Sequence, residues 1–354
     1  MAKKLVIVLS VFVGLVSICI SGCESPEQEV KKLIQALQHK NSQVRHAAAG
    51  ELGKIGENAI DAVPALIQAL QDESRDVRTS AARALGSIGE NAIDASPALI
   101  KTLQNPEVRW HAEGALAKIG IGAVPVLIQA LQDPEVRQYA TGVLARIGED
   151  ARDAVPALIQ TSQDPEEIVR GAAASAFGSI GKDAVDAIPA LIQLLQDQVA
   201  NVRSNAAEAL AKIGIGAVPS LVQLLQDEVA HVCASAVWTL AKIGKDAVPA
   251  LVQALQDPDI GVRSNAAGVL GQIGKGAVDA VPALTLALQD LAPEVRQYAA
   301  GALGEIGSKA AVPALIQQLQ DQNPEVRYFV AVALKSIGTP EALNAVRKHE
   351  ELQQ

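Results

Sequence analysis

DPEVRQYATGVLARIGEDARDAVPAL, residues Asp133–Leu158, holds one full cycle of the pattern that governs this chain. It reads Val136-Arg137, a run of small residues, Ile147-Gly148, then Val155-Pro156-Ala157-Leu158. The Val-to-Ile-Gly frame recurs ten times, from Val44 and Ile55 to Val326 and Ile337, always with eleven residues from Val to Ile. A fixed period near thirty is the mark of a stacked array. Each unit is one supersecondary element whose apolar face only its neighbours can bury. A length of 354 residues would otherwise suggest two or three globular domains.

Each cycle spells two helices. Pro recurs at 64, 97, 125, 156, 189, 219, 249, 282 and 313, where the first turn of a helix tolerates a missing N–H. Leu66, Ile67 and Leu70 then give an apolar face. The second helix follows a polar turn such as Asp133-Pro134-Glu135, with Asp as N-cap and Glu on the positive end of the dipole. Asn41, Ser74, Asn105, Asp259 and Asn323 hold the same cap place. Glu166, Val199, Val229 and Ala292 do not fit it, so those caps are expected to shift by a residue. Within the helix, Val44, Ala47, Ala48, Leu52 and Ile55 trace one face, and Gly56 ends it in a left-handed conformation. Some cycles carry three extra residues before Pro, about one helical turn.

These residues carry a family resemblance. The phrase from Asp133 to Leu158 resembles the HEAT-like repeats of phycobilisome lyase type, and the likeness covers residues 29–347. It implies an all-α, right-handed α-solenoid of about ten helical hairpins, with the second helices lining a concave face. It does not fix the function, because many activities are grafted on this fold. Aromatics make up only 2% of a chain that is 49% apolar, so Ala, Leu, Ile and Val must fill the core.

The N-terminus has the order of a secretion signal: Lys3 and Lys4, the apolar run Leu5 to Ile20, then Ser21-Gly22-Cys23. Ile20-Ser-Gly-Cys23 resembles the bacterial lipobox. That implies cleavage of residues 1–22 and a lipid on Cys23. Residues 23–28 then make a short tether, residues 29–347 the array and residues 348–354 a charged tail. The protein is expected to be exported and anchored to the cell membrane or outer membrane, with its array in the periplasm or extracellular space. A plain transmembrane helix is the alternative, since Leu5 to Cys23 is long enough to span. With Cys23 lipidated, Cys233 is the one remaining thiol of the mature chain and is expected to be buried and inert. The net charge of −9 argues against a nucleic-acid face.

Two kinds of position stand out. Arg follows Val at 45, 78, 109, 137, 170, 203, 263, 296 and 327, and Asp recurs at 72, 133, 164, 197, 227, 257, 290 and 321. Their common register predicts a structural Arg–Asp ladder. Against that uniform frame, Trp110, His111, Glu113, Tyr139, Trp238, Tyr298 and Tyr328 interrupt bland neighbours on an exposed helical row. Phe177 takes a Leu place and is core. The aromatic set is expected either to anchor a protein or peptide in an acidic groove or to cover gaps between helices.

Enzyme signals are weak. No His-x-x-x-His or Cys-x-x-Cys pair, Gly-x-x-x-x-Gly-Lys loop or Gly-x-Ser-x-Gly elbow is present. No catalytic residue, metal site or cofactor is therefore assigned, and a non-catalytic interaction scaffold is the expected function. The repeat also resembles that of bilin lyases, which attach or detach the phycobilisome chromophore, and a lyase-like role is the alternative. The deoxyhypusine hydroxylases, a further HEAT-like group, use His-Glu pairs to hold iron; here only His349-Glu350 matches.

Overall fold

A computed structural model describes residues 25–352. Among them every regular element is helical. The second helices of the ten hairpins are α2 (Ser42–Ile55), α4 (Arg75–Ile88), α6 (Arg109–Ile119), α8 (Arg137–Ile147), α10 (Glu167–Ile180), α12 (Ala200–Ile213), α14 (Ala230–Ile243), α16 (Ile260–Ile273), α18 (Pro293–Ile306) and α20 (Pro324–Ile337). The first helices are α1 (Pro26–Ala36), α3 (Val63–Ala69), α5 (Ser96–Thr102), α7 (Val124–Ala130), α9 (Val155–Thr161), α11 (Ile188–Leu194), α13 (Val218–Gln223), α15 (Val248–Ala254), α17 (Val281–Ala287) and α19 (Val312–Gln318). A last helix, α21 (Pro340–Leu352), packs against α19 and α20. Helical structure thus begins before residue 29 and runs past residue 347. Cys23, the proposed signal and residues 353–354 lie outside the described residues.

The described residues form two compact units, one ending at Ile180 and one beginning at Gly181. In each, the core lies between the helices of a hairpin and between successive hairpins. Val63, Leu66, Ala69 and Leu70 are buried from the first helix, and Val77, Ala81, Leu85 and Ile88 from the second. The buried arc of the second helix is wider than expected. Ala82 and Ala84 are also sealed, because a second helix packs against the neighbouring second helices as well as its own partner. Phe177 is fully buried in its Leu place.

Glycines set how close those neighbours come. An added Cβ would lie 3.2 Å from the Ala84 Cα at Gly53, 2.9 Å from the Ala115 Cα at Gly86, 3.1 Å from the Ala302 Cα at Gly271 and 2.7 Å from the Ala333 Cα at Gly304. These four share one register, nine residues after Val, and each faces the backbone of the next second helix.

The terminal glycines all have positive φ, but few have the expected left-handed helical geometry. Gly307 (ψ 27) and Gly338 (ψ 17) do. Gly56 has φ 66 and ψ −133, and Gly89, Gly120 and Gly148 are alike. That region is close to Gly-only. It turns the chain directly into a 3-10 segment, which Gly307 reaches only after Ser308 and which does not follow Gly338, where the last α-helix begins at Pro340. The segment has four residues in Gly120–Ala123 and seven in Gly56–Ala62, so the three extra residues are one 3-10 turn. Two stretches, Arg109–Ala130 and Ala200–Gln226, are long and apolar enough to cross a membrane. Each is broken by a positive-φ glycine, Gly120 or Gly214, between two packed helices.

The caps expected to shift, at Val199, Val229 and Ala292, did not, whereas at Asn105 and Asp133 the α-helix starts later than expected, with Val108 and Val136 as its cap residues, and Ser74 caps without a side-chain bond. Asn41, Asp259 and Asn323 cap with their side chains as expected. At Val199, Val229 and Ala292 the cap residue itself is apolar, and its N–H is taken by the Asp two positions earlier, at 2.8, 2.8 and 2.9 Å.

Asp290, of these, also builds the ladder, as do Asp72 and Asp321 in the same register. Arg296 reaches forward to Asp321 with Nε–Oδ2 at 2.7 Å and Nη2–Oδ1 at 2.9 Å, while its Nη1 donates to the carbonyl of Asp290 at 2.8 Å. Arg263 binds Asp290 and Arg45 binds Asp72 in the same two-pronged way. One guanidinium thus closes its own hairpin turn and pins the next. The hydrogen bond from Arg45 holds the Asp72 carboxyl below its ordinary range, and that from Arg296 does so for Asp321. At Asp290 burial pushes the other way, but the hydrogen bonds from Arg263 and the Ala292 N–H prevail.

Candidate functional site

The exposed row of the second helices is where side-chain identity varies. Trp110 at the start of α6 is 73% exposed, and the Arg146 guanidinium of α8 lies 5.7 Å from its ring centroid. Trp238 on α14, Tyr298 on α18 and Tyr328 on α20 are exposed as well. Lys242 lies 5.2 Å from the Trp238 ring centroid, one turn along the same helix, and Tyr328 meets Phe329 edge-on.

Tyr139 differs. It is half-buried, and the Arg109 guanidinium stacks 4.0 Å from its ring centroid while Arg109 Nε donates to the Leu103 carbonyl. Here the ring receives the guanidinium that carboxylates receive at Arg45 and Arg296. Glu113 is half-buried too, at a position that is Ala in most cycles. Burial raises its carboxyl above the ordinary range, against the pull of Arg146 and Arg109.

In the first unit two cavities open between successive second helices. The one between α2 and α4, about 270 Å³, is lined by His46, Lys54, Ser80 and Arg83 over Gly50 and Gly53. The one between α4 and α6, about 240 Å³, is lined by Arg83, Trp110, His111, Lys118 and Arg146 over Gly86 and Gly114. Arg83 and Ser87 belong to both. Among the described residues no carboxylate lines either cavity. His111 is held below its ordinary pKa by burial and then by Arg83 and Arg75. The groove is therefore cationic at these two cavities, not acidic as the net charge of the chain implies. The negative charge of the chain sits largely in the turns and the ladder.

In the second unit a cavity of about 380 Å³ joins Arg203, His231 and Trp238. A larger one, about 440 Å³, is lined by Tyr298, Phe329, Gln272, Gln297 and Glu305 over Gly268, Gly271, Gly301 and Gly304. Tyr328 lies outside it. Of the residues singled out by sequence, Trp110 and His111 meet at one cavity, and Glu113 and Tyr139 lie near it without lining it. Trp238 and Tyr298 line separate cavities. Sequence reasoning passed over Arg83, Lys118 and Arg146, whose signal was a basic residue six or ten positions after Val.

Cys233 is half-buried, with its thiol 3.5 Å from the Leu225 carbonyl, and burial followed by Asp227 pushes it up, which keeps it protonated. Among the described residues no three His, Cys, Asp or Glu side chains are placed to hold a metal ion. Glu350, of the His349-Glu350 pair, accepts a bond from Lys335 at 2.7 Å.

Comparison with curated proteins finds no match. Among solved structures, an engineered protein is 28% identical over 88% of this chain and 99% of its own, with a TM-score of 0.40. Kap95p, solved with RanGDP, is 17% identical over 93% of this chain and 54% of its own, with a TM-score of 0.49. This chain thus spans about half the length of Kap95p. One chain of the CpcE–CpcF complex of phycocyanin lyase from Nostoc sp. PCC7120 is 26% identical over 42% of this chain and 98% of its own, with a TM-score of 0.33. The family model for HEAT repeats matches residues 30–117, 124–211, 155–241, 218–290 and 281–350. Those matches follow the hairpins described above over nearly all of the structure, and the chain belongs to the HEAT-repeat family.

Proposed function

We propose that this protein is a non-catalytic scaffold, tethered to a membrane through a lipid on Cys23, that holds a protein partner on the exposed row of its second helices. The supporting observation is the placement of the aromatics. Eight Phe, Trp and Tyr residues occur in the whole chain, and Trp110, Trp238, Tyr298 and Tyr328 stand exposed on second helices beside cavities or at their margins. A core short of large side chains would gain by burying them, since large aromatics contribute strongly to core energetics. Held in solvent on rigid helices, they are placed as interface anchors.

The test is photo-crosslinking in intact cells with a photoreactive residue at position 110 or 238. A defined partner captured at both positions, and lost when the other Trp is Ala, is the expected result. A chain that crosslinks to nothing at either position while remaining folded contradicts the scaffold reading. In the same cells an alkyne fatty acid should label the wild type and not Cys23→Ala; an unlabelled wild type removes the tether.

A further inference from the structure

We infer that the first unit's cationic cavities take an extended acidic segment of a polypeptide. This rests on the scaffold reading and names the chemistry that one part of it recognises. Arg83, Lys118 and Arg146 are exposed, and no carboxylate among the described residues lines the cavities they share. Lys54 extends the row at one end, though it also binds Glu51 at 2.7 Å. Glu51 and Glu113 are the acidic neighbours of the site, and neither lines a cavity. The local charge is thus positive on a chain whose net charge is −9.

The floor fits a backbone. Gly50, Gly53, Gly86 and Gly114 offer no side chain, and nothing stands within 4 Å of where a Cβ at Gly50 would be. A peptide main chain can approach such a floor closely. The spacing fits as well. Neighbouring packed helices lie about 8–10 Å apart, and in an extended polyproline-II chain, with three residues to the turn, every third side chain faces the same way about 9 Å along. Glu or Asp at every third position would therefore meet successive cations from α2, α4, α6 and α8. Trp110, exposed at the edge of the row, supplies one apolar contact beside the charges. A nucleic acid is the weaker fit: its phosphates form a continuous charge, and beyond these few cations it would meet an acidic protein.

The experiment is fluorescence anisotropy on the full chain with three labelled probes. One is a peptide of about a dozen residues with Glu at every third position, one is its Lys counterpart, and one is a single-stranded oligonucleotide of equal length. The Glu peptide should bind, and more weakly as salt is raised. Arg83→Glu with Lys118→Glu should weaken it on the order of tenfold or more, since two attractions are lost and two repulsions added. Lys275→Glu with Lys309→Glu, which makes the same charge change in the second unit, should leave affinity within about twofold. Equal loss in both double variants means general electrostatics and overturns the inference. So does tighter binding of the oligonucleotide. Failure of the Glu peptide to bind, in a chain that still crosslinks its partner at position 238, overturns this inference and leaves the scaffold standing. Loss of crosslinking at both positions removes the scaffold and this inference with it.

Discussion

The two units use one frame to make two different surfaces. In the first, the exposed row of α2, α4, α6 and α8 presents Lys54, Arg83, Lys118 and Arg146 above glycine floors. In the second, the same row presents a pair of opposite charges, Glu208 and Lys212, then Trp238 with Lys242, then a cavity under Tyr298 and Phe329 whose one charged lining residue, among the described residues, is Glu305. Yet the second helices are drawn together by the same device in both, Gly53 and Gly86 in one and Gly271 and Gly304 in the other. Spacing and surface chemistry are carried by different positions of one helix. The face can therefore change without disturbing the stack.

That separation breaks most readily where helices touch. In Gly304→Ala the new methyl would stand 2.7 Å from the Ala333 Cα, a backbone atom that cannot swing aside. The helices must separate, and the expected cost is about 1–3 kcal/mol, read as a lower denaturation midpoint. Gly86→Ala, at 2.9 Å, should fall in the same range in the first unit. If either is neutral, glycine does not set the spacing in that unit, and the likeness of the two stacks is lost.

The ladder comes next. Asp321 accepts from Arg296 twice and from the Asn323 N–H at 2.8 Å, so Asp321→Ala leaves a largely buried guanidinium and a turn N–H without it. A loss of about 1–3 kcal/mol is expected. Asp72, Asp290 and Asp321 are all held below the usual carboxylate range when folded. Their contribution is therefore complete above the unfolded value of about 3.9 and fades as pH falls through the lower folded values. Thermal unfolding followed by circular dichroism should show stability dropping only below about pH 4. Asp321→Ala should show a shallower drop than the parent.

The ladder and the stack were legible in the sequence because both recur. Ten copies in register made the hairpins, the Arg–Asp pairing and the Phe177 core position readable from spacing alone. The cationic groove was not, for the opposite reason. Arg83 and Gly114 share one register, six residues after Val, and Lys118 and Arg146 share another, ten after it. Lys54 shares that second register, but Ser87 and Ser179 interrupt it and Arg83 comes from the other, so the cluster exists only once the helices stand side by side. Net charge misled in the same way, since the carboxylates engaged in turns and ladder contribute to the total but not to the groove. The helix-ending glycines were visible as glycine, but the ψ that leads into a 3-10 turn is set by the residues on their C-terminal side. Tyr139 was read as a face residue because nothing local reveals that Arg109 lies against it.

The smallest expected effects separate face from frame most cleanly. Gly50 sits in α2 with helical neighbours on both sides, and nothing stands within 4 Å of the place a Cβ would take. Gly50→Ala should therefore stabilise by about 0.5–1 kcal/mol, the helix preference of Ala over Gly. The same methyl intrudes on the floor of the cavity lined by Lys54 and Arg83. A rise in melting temperature together with weaker binding of the acidic peptide is the expected pair of results. Trp110→Ala, at a ring 73% exposed, should change stability by less than about 0.5 kcal/mol and weaken partner capture. If Gly50→Ala stabilises and binding is untouched, the glycine floor plays no part in recognition. The glycines six residues after Val would then be unlike those nine after it, which the helices need in order to touch.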